Sequence, residues 1–179
     1  EIKPDDFGLA MMRIRREWAP APGKYVRLAH GRTTWMSNTE MEVETNEPFV
    51  RAAFGDVLIA GLGVGMVLGD LLTRDAIRSV TVVEKSPDVI ALVAPHVRTW
   101  QNYQDPAQRV KLTIVTADIF KWNPKKGSRF DVVYFDIWPG LNTDFYRESQ
   151  VLHARAKTWR TRTRGGFTSS WRREDMRTA

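Results

Sequence analysis

The sequence predicts an α/β domain built on a doubly wound, mostly parallel sheet. Three observations predict it. From residue 56 onward, apolar runs of about four residues alternate with stretches of helical spacing, the pattern of βαβ units around a parallel sheet. The first run passes directly into Gly61-Leu62-Gly63-Val64-Gly65 and then a helix, a strand-to-helix turn that brings backbone amides close to whatever lies over it. Four successive runs then carry at their carboxyl ends a glycine loop, Glu84, Asp118 and Asp136.

Taken in order, Asp5 to Trp18 spaces Phe7, Ala10, Met11, Ile14 and Trp18 three and four residues apart, which predicts an amphipathic helix. Ala19-Pro20-Ala21-Pro22-Gly23 breaks it. Lys24 to Ser37 reads as a hairpin turning at His30-Gly31, and Thr45 or Asn46 is expected to cap a short helix with Pro48 in its first turn and Gly55 as its stop. Residues 1–55 thus form an arm ahead of a main domain, 56–179. In that domain the strands are Val57 to Ala60, Val80 to Val83, Leu112 to Val115, Val132 to Phe135 and Phe167 to Ser170. Ser86-Pro87-Asp88 opens a helix to about Val97, and Asn142 or Thr143 caps one that buries Phe145, Leu152, Ala156 and Trp159.

Composition narrows the function classes. The chain has 179 residues with 42% hydrophobic and 27% charged, the balance of a folded globular domain. Zero cysteines and three scattered histidines (His30, His96, His153) exclude thiolate zinc sites, iron–sulfur clusters and cysteine nucleophiles and disfavour a dedicated metal site. No apolar run approaches the roughly 20 residues of a membrane helix, and the N-terminal stretch lacks the order of a signal peptide, so no membrane partner and a cytoplasmic location are expected. The net charge of +6 is lopsided: Lys/Arg and Asp/Glu balance at 19 each in residues 1–150, whereas residues 151–179 hold 8 against 2. Arg155, Lys157, Arg160, Arg162 and Arg164, with Trp159 among them, can track phosphates of a nucleic-acid acceptor or form a solvated helix face.

The candidate site follows from the strand ends. Glycines at 61, 63 and 65 let a ligand approach the backbone, although glycine also serves strand-to-helix turns for steric reasons. Met66 stands where a dinucleotide fingerprint places its third glycine, which disfavours a nicotinamide reading. Glu84 can accept hydrogen bonds from the vicinal hydroxyls of a ribose. Asp118 offers an acceptor beside the apolar Ile119. Asp136, with Ile137-Trp138-Pro139-Gly140 behind it, faces the crevice in which such sheets bind ligands; Trp138 and Pro139 are its candidate pocket wall. In the arm, Glu40 and Glu42 read as surface acids more than as pocket residues.

On the segments DVLIAGLGVGMVL, VTVVEKSPDVI, LTIVTADIFKW, FDVVYFDIWPG and RGGF, residues 56 to about 170 resemble a class I S-adenosylmethionine-dependent methyltransferase domain. The hairpin, short helix and VEKSPDVI are similar to the spermidine-synthase-like branch. The resemblance implies a Rossmann-like fold with S-adenosylmethionine as cofactor, in which Gly61, Gly63 and Gly65 approach its amino-acid end. Glu84 binds the ribose, Asp118 the adenine amine, Ile119 the adenine face, and Asp136 acts catalytically on the transferred group or acceptor. The family adds two further strands, for which Trp171 to Ala179 leave no room, so the sheet is expected to lack them or to be completed by the N-terminal hairpin or by another copy in a homo-oligomer.

The expected activity is methyl transfer to a small-molecule or nucleic-acid acceptor. The acid-then-small-polar pattern of aminopropyl transferases is replaced by Ile137-Trp138-Pro139, which disfavours polyamine synthesis and leaves an aminopropyl-transferase-like enzyme only as an alternative. A non-catalytic nucleoside-cofactor-binding module is the other.

Overall fold

The computed structural model describes residues 20–102, 109–161 and 165–179; the predicted helix from Asp5 to Trp18, and Arg162 and Arg164, lie outside them. Strands β1 (Arg27–His30) and β2 (Thr33–Ser37) form the expected antiparallel hairpin, turned by Gly31 at φ +59°, a left-handed conformation that glycine adopts at no steric cost. The hairpin is a separate two-stranded sheet. Among the described residues it does not pair with the main sheet, and Met36 of β2 reaches the domain through its side chain.

Helix α1 (Glu40–Ala52) corrects the sequence reading. It starts after Thr39, so Thr45 and Asn46 lie in its middle, and Pro48 is interior. Proline there removes one intrahelical donor, but the affected turn faces solvent, and the opposite face buries Phe49, Val50 and Asn46. The two residues expected to cap instead make tertiary bonds. Asn46 Oδ1 accepts from the Tyr134 hydroxyl at 2.6 Å, and Thr45 Oγ1 accepts from the Trp171 indole at 3.0 Å. Phe49 stacks on Tyr134 with centroids 3.7 Å apart. Packing therefore overrides the local proline signal. Gly55 is not the helix stop; it opens the next strand at φ +67°, where a side chain would run into the Asp131 carboxylate.

The remaining elements are β3 (Gly55–Ala60), α2 (Met66–Leu72), β4 (Ile77–Glu84), α3 (Pro87–Asn102), β5 (Lys111–Thr116), β6 (Val132–Phe135), α4 (Thr143–Trp159), β7 (Phe167–Ser170) and α5 (Arg173–Thr178). The five main strands are parallel in the order β5-β4-β3-β6-β7. Sequence and structure agree on this Rossmann-like class. Val57, Leu58 and Ala60 in β3 and Val132, Val133 and Phe135 in β6 are fully buried, as central strands covered on both faces must be. Asn142 caps α4, its Oδ1 accepting from Phe145 N at 2.8 Å, and Ser86 Oγ accepts from Val89 N at the start of α3. Helix α3 runs past Val97 to Asn102, and α5 follows Arg172, which takes a left-handed φ of +43°. One apolar cluster runs from α1 through both faces of the sheet.

Strand order places the functional edge. The chain leaves β3 toward β4 and β5, then returns to add β6 on the other side, so the switch point lies between β3 and β6, where such sheets bind ligands beyond the strands' carboxyl ends. Each ladder continues one residue beyond its strand there. Gly61 N donates to Val83 O, Asp136 N to Ala60 O, Ala117 N to Glu84 O and Trp171 N to Phe135 O, at 2.9 to 3.0 Å. Those bonds hold the acid-bearing ends in register. At the opposite edge Asp131, 3% exposed, accepts from Asp56 N (2.9 Å), Arg78 (2.6 Å) and Thr161 Oγ1 (3.0 Å), tying β3, β4 and β6 together. Burial alone would raise its pKa, but these donors together hold it below the usual carboxylate range.

Candidate functional site

At the switch point the loop after β3 puts Gly61, Gly63 and Gly65 at φ +95°, +52° and +81°. Packing accounts for two of the three. A Cβ on Gly61 would collide with the Asp136 carbonyl oxygen, and one on Gly65 would press on Val93 Cγ1 at 2.9 Å. Gly63 is different: its neighbour is the sulfur of Met36, reaching across from β2. Val64 N donates to that sulfur at 3.4 Å. Sequence spacing gave no sign of this contact, which joins the hairpin to the loop.

Glu84 stands at the carboxyl end of β4 and fixes the loop. Its Oε2 accepts from Leu62 N at 2.8 Å and its Oε1 from Ser86 N at 2.7 Å. A carboxylate has about four lone-pair sites, so each oxygen keeps capacity for a further donor such as a ribose hydroxyl. One loop further on, Asp118 Oδ1 accepts from Phe120 N at 3.0 Å and Oδ2 lies 3.5 Å from Lys85 Nζ. The Phe120 amide, with help from Lys85 and Lys121, keeps its pKa low against a smaller burial effect. Ile119 beside it is buried at 4%. Glu84, Asp118 and the glycine loop therefore share one edge, where carboxylates with spare acceptor capacity and loop amides are the polar groups that S-adenosylmethionine would need.

Asp136 follows β6 across the switch point. Its carboxyl is partly accessible in area yet surrounded by protein, and burial, then the charge of Glu42, push its pKa from 3.8 up to about 7. Glu42 was read from the sequence as a surface acid; the structure corrects this, because the earlier start of α1 turns it inward to 8% exposure while Glu40 stays exposed. Burial also raises the Glu42 pKa, opposed by the Ser37 backbone amide and by Arg172. The same surroundings put the buried Tyr134 hydroxyl above its usual range. Two carboxyls thus share one poorly solvated space, a setting in which one of them holds its proton near neutral pH.

The proposed wall is built differently from the sequence expectation. Trp138 is 5% exposed and its indole N–H donates to Glu148 on α4 at 2.8 Å, so it packs and pins the loop, and Pro139 is the exposed member of the pair. In the basic segment, Arg155 is committed to the fold. It donates to the carbonyls of Ile119 (3.0 Å), Phe120 and Trp122 (2.7 Å) and lies over the Trp159 ring at 5.0 Å. Trp159 itself is 3% exposed. Neither is therefore placed to hold a nucleic acid. His153 on α4 shares a 2.7 Å hydrogen bond with Ser170 Oγ, and burial followed by Arg173 lowers its pKa to about 4. Among the described residues no group of His, Asp or Glu is arranged to hold a metal ion, and no helix is long and apolar enough to cross a membrane.

Neither a protein-family model nor a curated protein matches the chain. Solved structures do. It is similar to the N-methyltransferase NodS from Bradyrhizobium japonicum (TM-score 0.49, 14% identity, covering 69% of this chain and 65% of that one). It is also similar to the CcbJ methyltransferase from Streptomyces caelestis (0.47, 19%, 70% and 47%) and to spermidine synthase from Thermotoga maritima (0.45, 21%, 64% and 40%). The matched part spans less than two thirds of each of those proteins. In its own strand order and glycine loop, the chain is a Rossmann-like α/β domain.

Proposed function

We propose that the chain is an S-adenosylmethionine-dependent methyltransferase whose acceptor is activated beside Asp136. The observation that carries this reading is the joint placement, at one switch point, of the Glu84-anchored glycine loop on β3 and the high-pKa carboxyl of Asp136 on β6. When bound, the cofactor supplies an electrophilic methyl group on a sulfonium with a neutral leaving group. The chain's own residues supply the rest. Glu84 accepts from the ribose hydroxyls, Asp118 from the adenine amine, and the loop amides meet the amino-acid arm. Asp136, poised near neutrality, takes the proton that the acceptor nucleophile loses, the pKa match that general-base catalysis favours.

Calorimetry with S-adenosylmethionine tests the binding half of this reading. Glu84→Ala removes at least one hydrogen bond to a charged acceptor, worth about 1.5–3 kcal/mol, so affinity is expected to fall by at least about tenfold to a hundredfold. Unchanged binding in a variant that still folds would sink the assignment. A cofactor that binds while no acceptor pool yields methylated product would point instead to the binding module.

Met36 gives a second expectation. Its sulfur occupies the Val64 amide that the amino-acid arm needs, so cofactor and hairpin compete for one donor. Met36→Ala is expected to tighten cofactor binding several-fold while lowering stability slightly, because a half-buried thioether loses its packing. Binding that weakens in Met36→Ala would mean that the sulfur helps to build the site.

A further inference from the structure

The edge of the sheet opposite the crevice carries a cavity of ≈ 750 Å³ lined by Arg129, Lys157, Thr158, Arg160 and Thr161, a size within the range of small-ligand sites. We propose that this cavity is a binding site for phosphate oxyanions, independent of the methyl-transfer reading. Its lining holds three cations and no acid. The cations come from two separate stretches, Arg129 from the loop before β6 and the others from the end of α4. The backbone welds these stretches together, Phe130 N donating to Trp159 O at 3.0 Å and Thr161 N to Phe130 O at 2.7 Å.

Among the described residues no acid neutralises these charges. Among the described residues Arg129, Lys157 and Arg160 make no ion pair. Arg129 donates to the neighbouring Ser128 carbonyl and Arg160 to Gly166 O, both neutral acceptors. Arg160 Nε is buried without any acceptor among the described residues, an orphaned cationic donor of the kind that costs free energy until an anion arrives. Asp131, bonded to Thr161 of the lining, is also taken up by Arg78 and the Asp56 amide. The surroundings add to the imbalance. Residues 119–130 and 149–173 contain no Asp or Glu, and Lys125 and Lys126 lie exposed in the loop that ends at Arg129.

The chemistry favours phosphate in particular. Guanidinium forks pair with phosphate oxygens in a bidentate manner, and three clustered cations match a dianion or successive phosphodiesters. Among the described residues no apolar or aromatic side chain lines the cavity, so recognition is by charge, without sequence preference. The oxyanions belong either to a free phosphorylated molecule or to a nucleic-acid strand. Lys157 and Arg160, part of the basic excess of residues 151–179, thereby lie at the edge opposite the acids of the crevice.

Two probes test it, inorganic pyrophosphate by calorimetry and labelled single-stranded oligothymidylate by fluorescence anisotropy, each over a range of salt with the full chain. Binding of pyrophosphate alone assigns the site to a free phosphorylated ligand; binding of the oligonucleotide assigns it to a strand. With three neutralised phosphates the oligonucleotide's log affinity should fall with log salt at a slope of about −2. The double variant Arg129→Glu/Lys157→Glu alters two exposed side chains, and should lose at least tenfold in affinity with melting temperature and S-adenosylmethionine binding unchanged. The proposal is overturned if neither probe binds, or if the double variant binds both as tightly as the parent.

Discussion

Gly61→Ala is expected to be strongly destabilising, costing more than about 3 kcal/mol of a total that for a domain of this kind is about 5–15 kcal/mol. Two effects add. At φ +95° a side chain forces the backbone into a sparsely populated region, at about 1–3 kcal/mol. The new methyl also meets the Asp136 carbonyl oxygen, which cannot retreat because Asp136 N is bonded to Ala60 O and Gly61 N to Val83 O in the same ladder. The two central strands must then separate where they are most buried. Gly63→Ala provides the contrast. Its φ of +52° lies in the ordinary left-handed region, and the obstacle is the flexible Met36 side chain, so a loss of only about 1–2 kcal/mol is expected. Urea denaturation of both variants measures the difference. Equal midpoints would show that the ladder yields at Gly61, and that the glycine is there for a ligand's approach alone.

That contrast explains what the sequence made legible. The strands and their carboxyl-end residues could be read because they rest on local signals: four-residue apolar runs, a glycine-rich turn, and Ser86-Pro87-Asp88 and Asn142 as caps. Residues 61, 84, 118 and 136 consequently fall on one edge as expected, since a parallel βαβ succession fixes which end of each strand they occupy. What could not be read depends on contacts between distant segments. Pro48 is a fair first-turn signal on its own, and only the stacking of Phe49 on Tyr134 and the Asn46–Tyr134 hydrogen bond reveal that α1 begins at Glu40. The position of Glu42 depends on that start, as a shift along a helix redirects every side chain around its axis. Likewise Met36 looked like one apolar residue in a hairpin, and Trp138 like an open aromatic; a fold was needed to lay one on the glycine loop and the other on Glu148. The basic segment was visible as composition, but its division into structural Arg155 and an Arg160 and Lys157 that make no ion pair among the described residues was not.

The pairing of Asp136 with Glu42 leads to the second large effect, on pH dependence. Asp136 titrates near its ordinary 3.8 in the unfolded chain and at about 7 in the folded one, through burial first and the neighbouring charge of Glu42 second. Between those values the folded protein binds a proton that the unfolded chain has released, so stability falls as pH rises through this window and levels off above about 7. Asp136→Asn removes the ionisable group, and should raise the melting temperature most at pH above 7 and least near pH 4. Under the methyltransferase reading the same variant loses about a hundredfold to ten-thousandfold in rate, the usual worth of a positioned base, whereas the parent's rate climbs with pH to a plateau above about 7. Glu42→Gln separates the two causes. It deletes the charge but leaves the burial, so the Asp136 titration and the midpoint of the rate profile should move together to lower pH without returning to 3.8, while Arg172 keeps its ion pair with Asp175. Carbon-13 NMR of the Asp136 carboxyl in labelled protein reads the titration directly. A midpoint near 4 in the parent would show that water reaches the pair, removing the base from the mechanism and the slope from the stability curve in a single measurement.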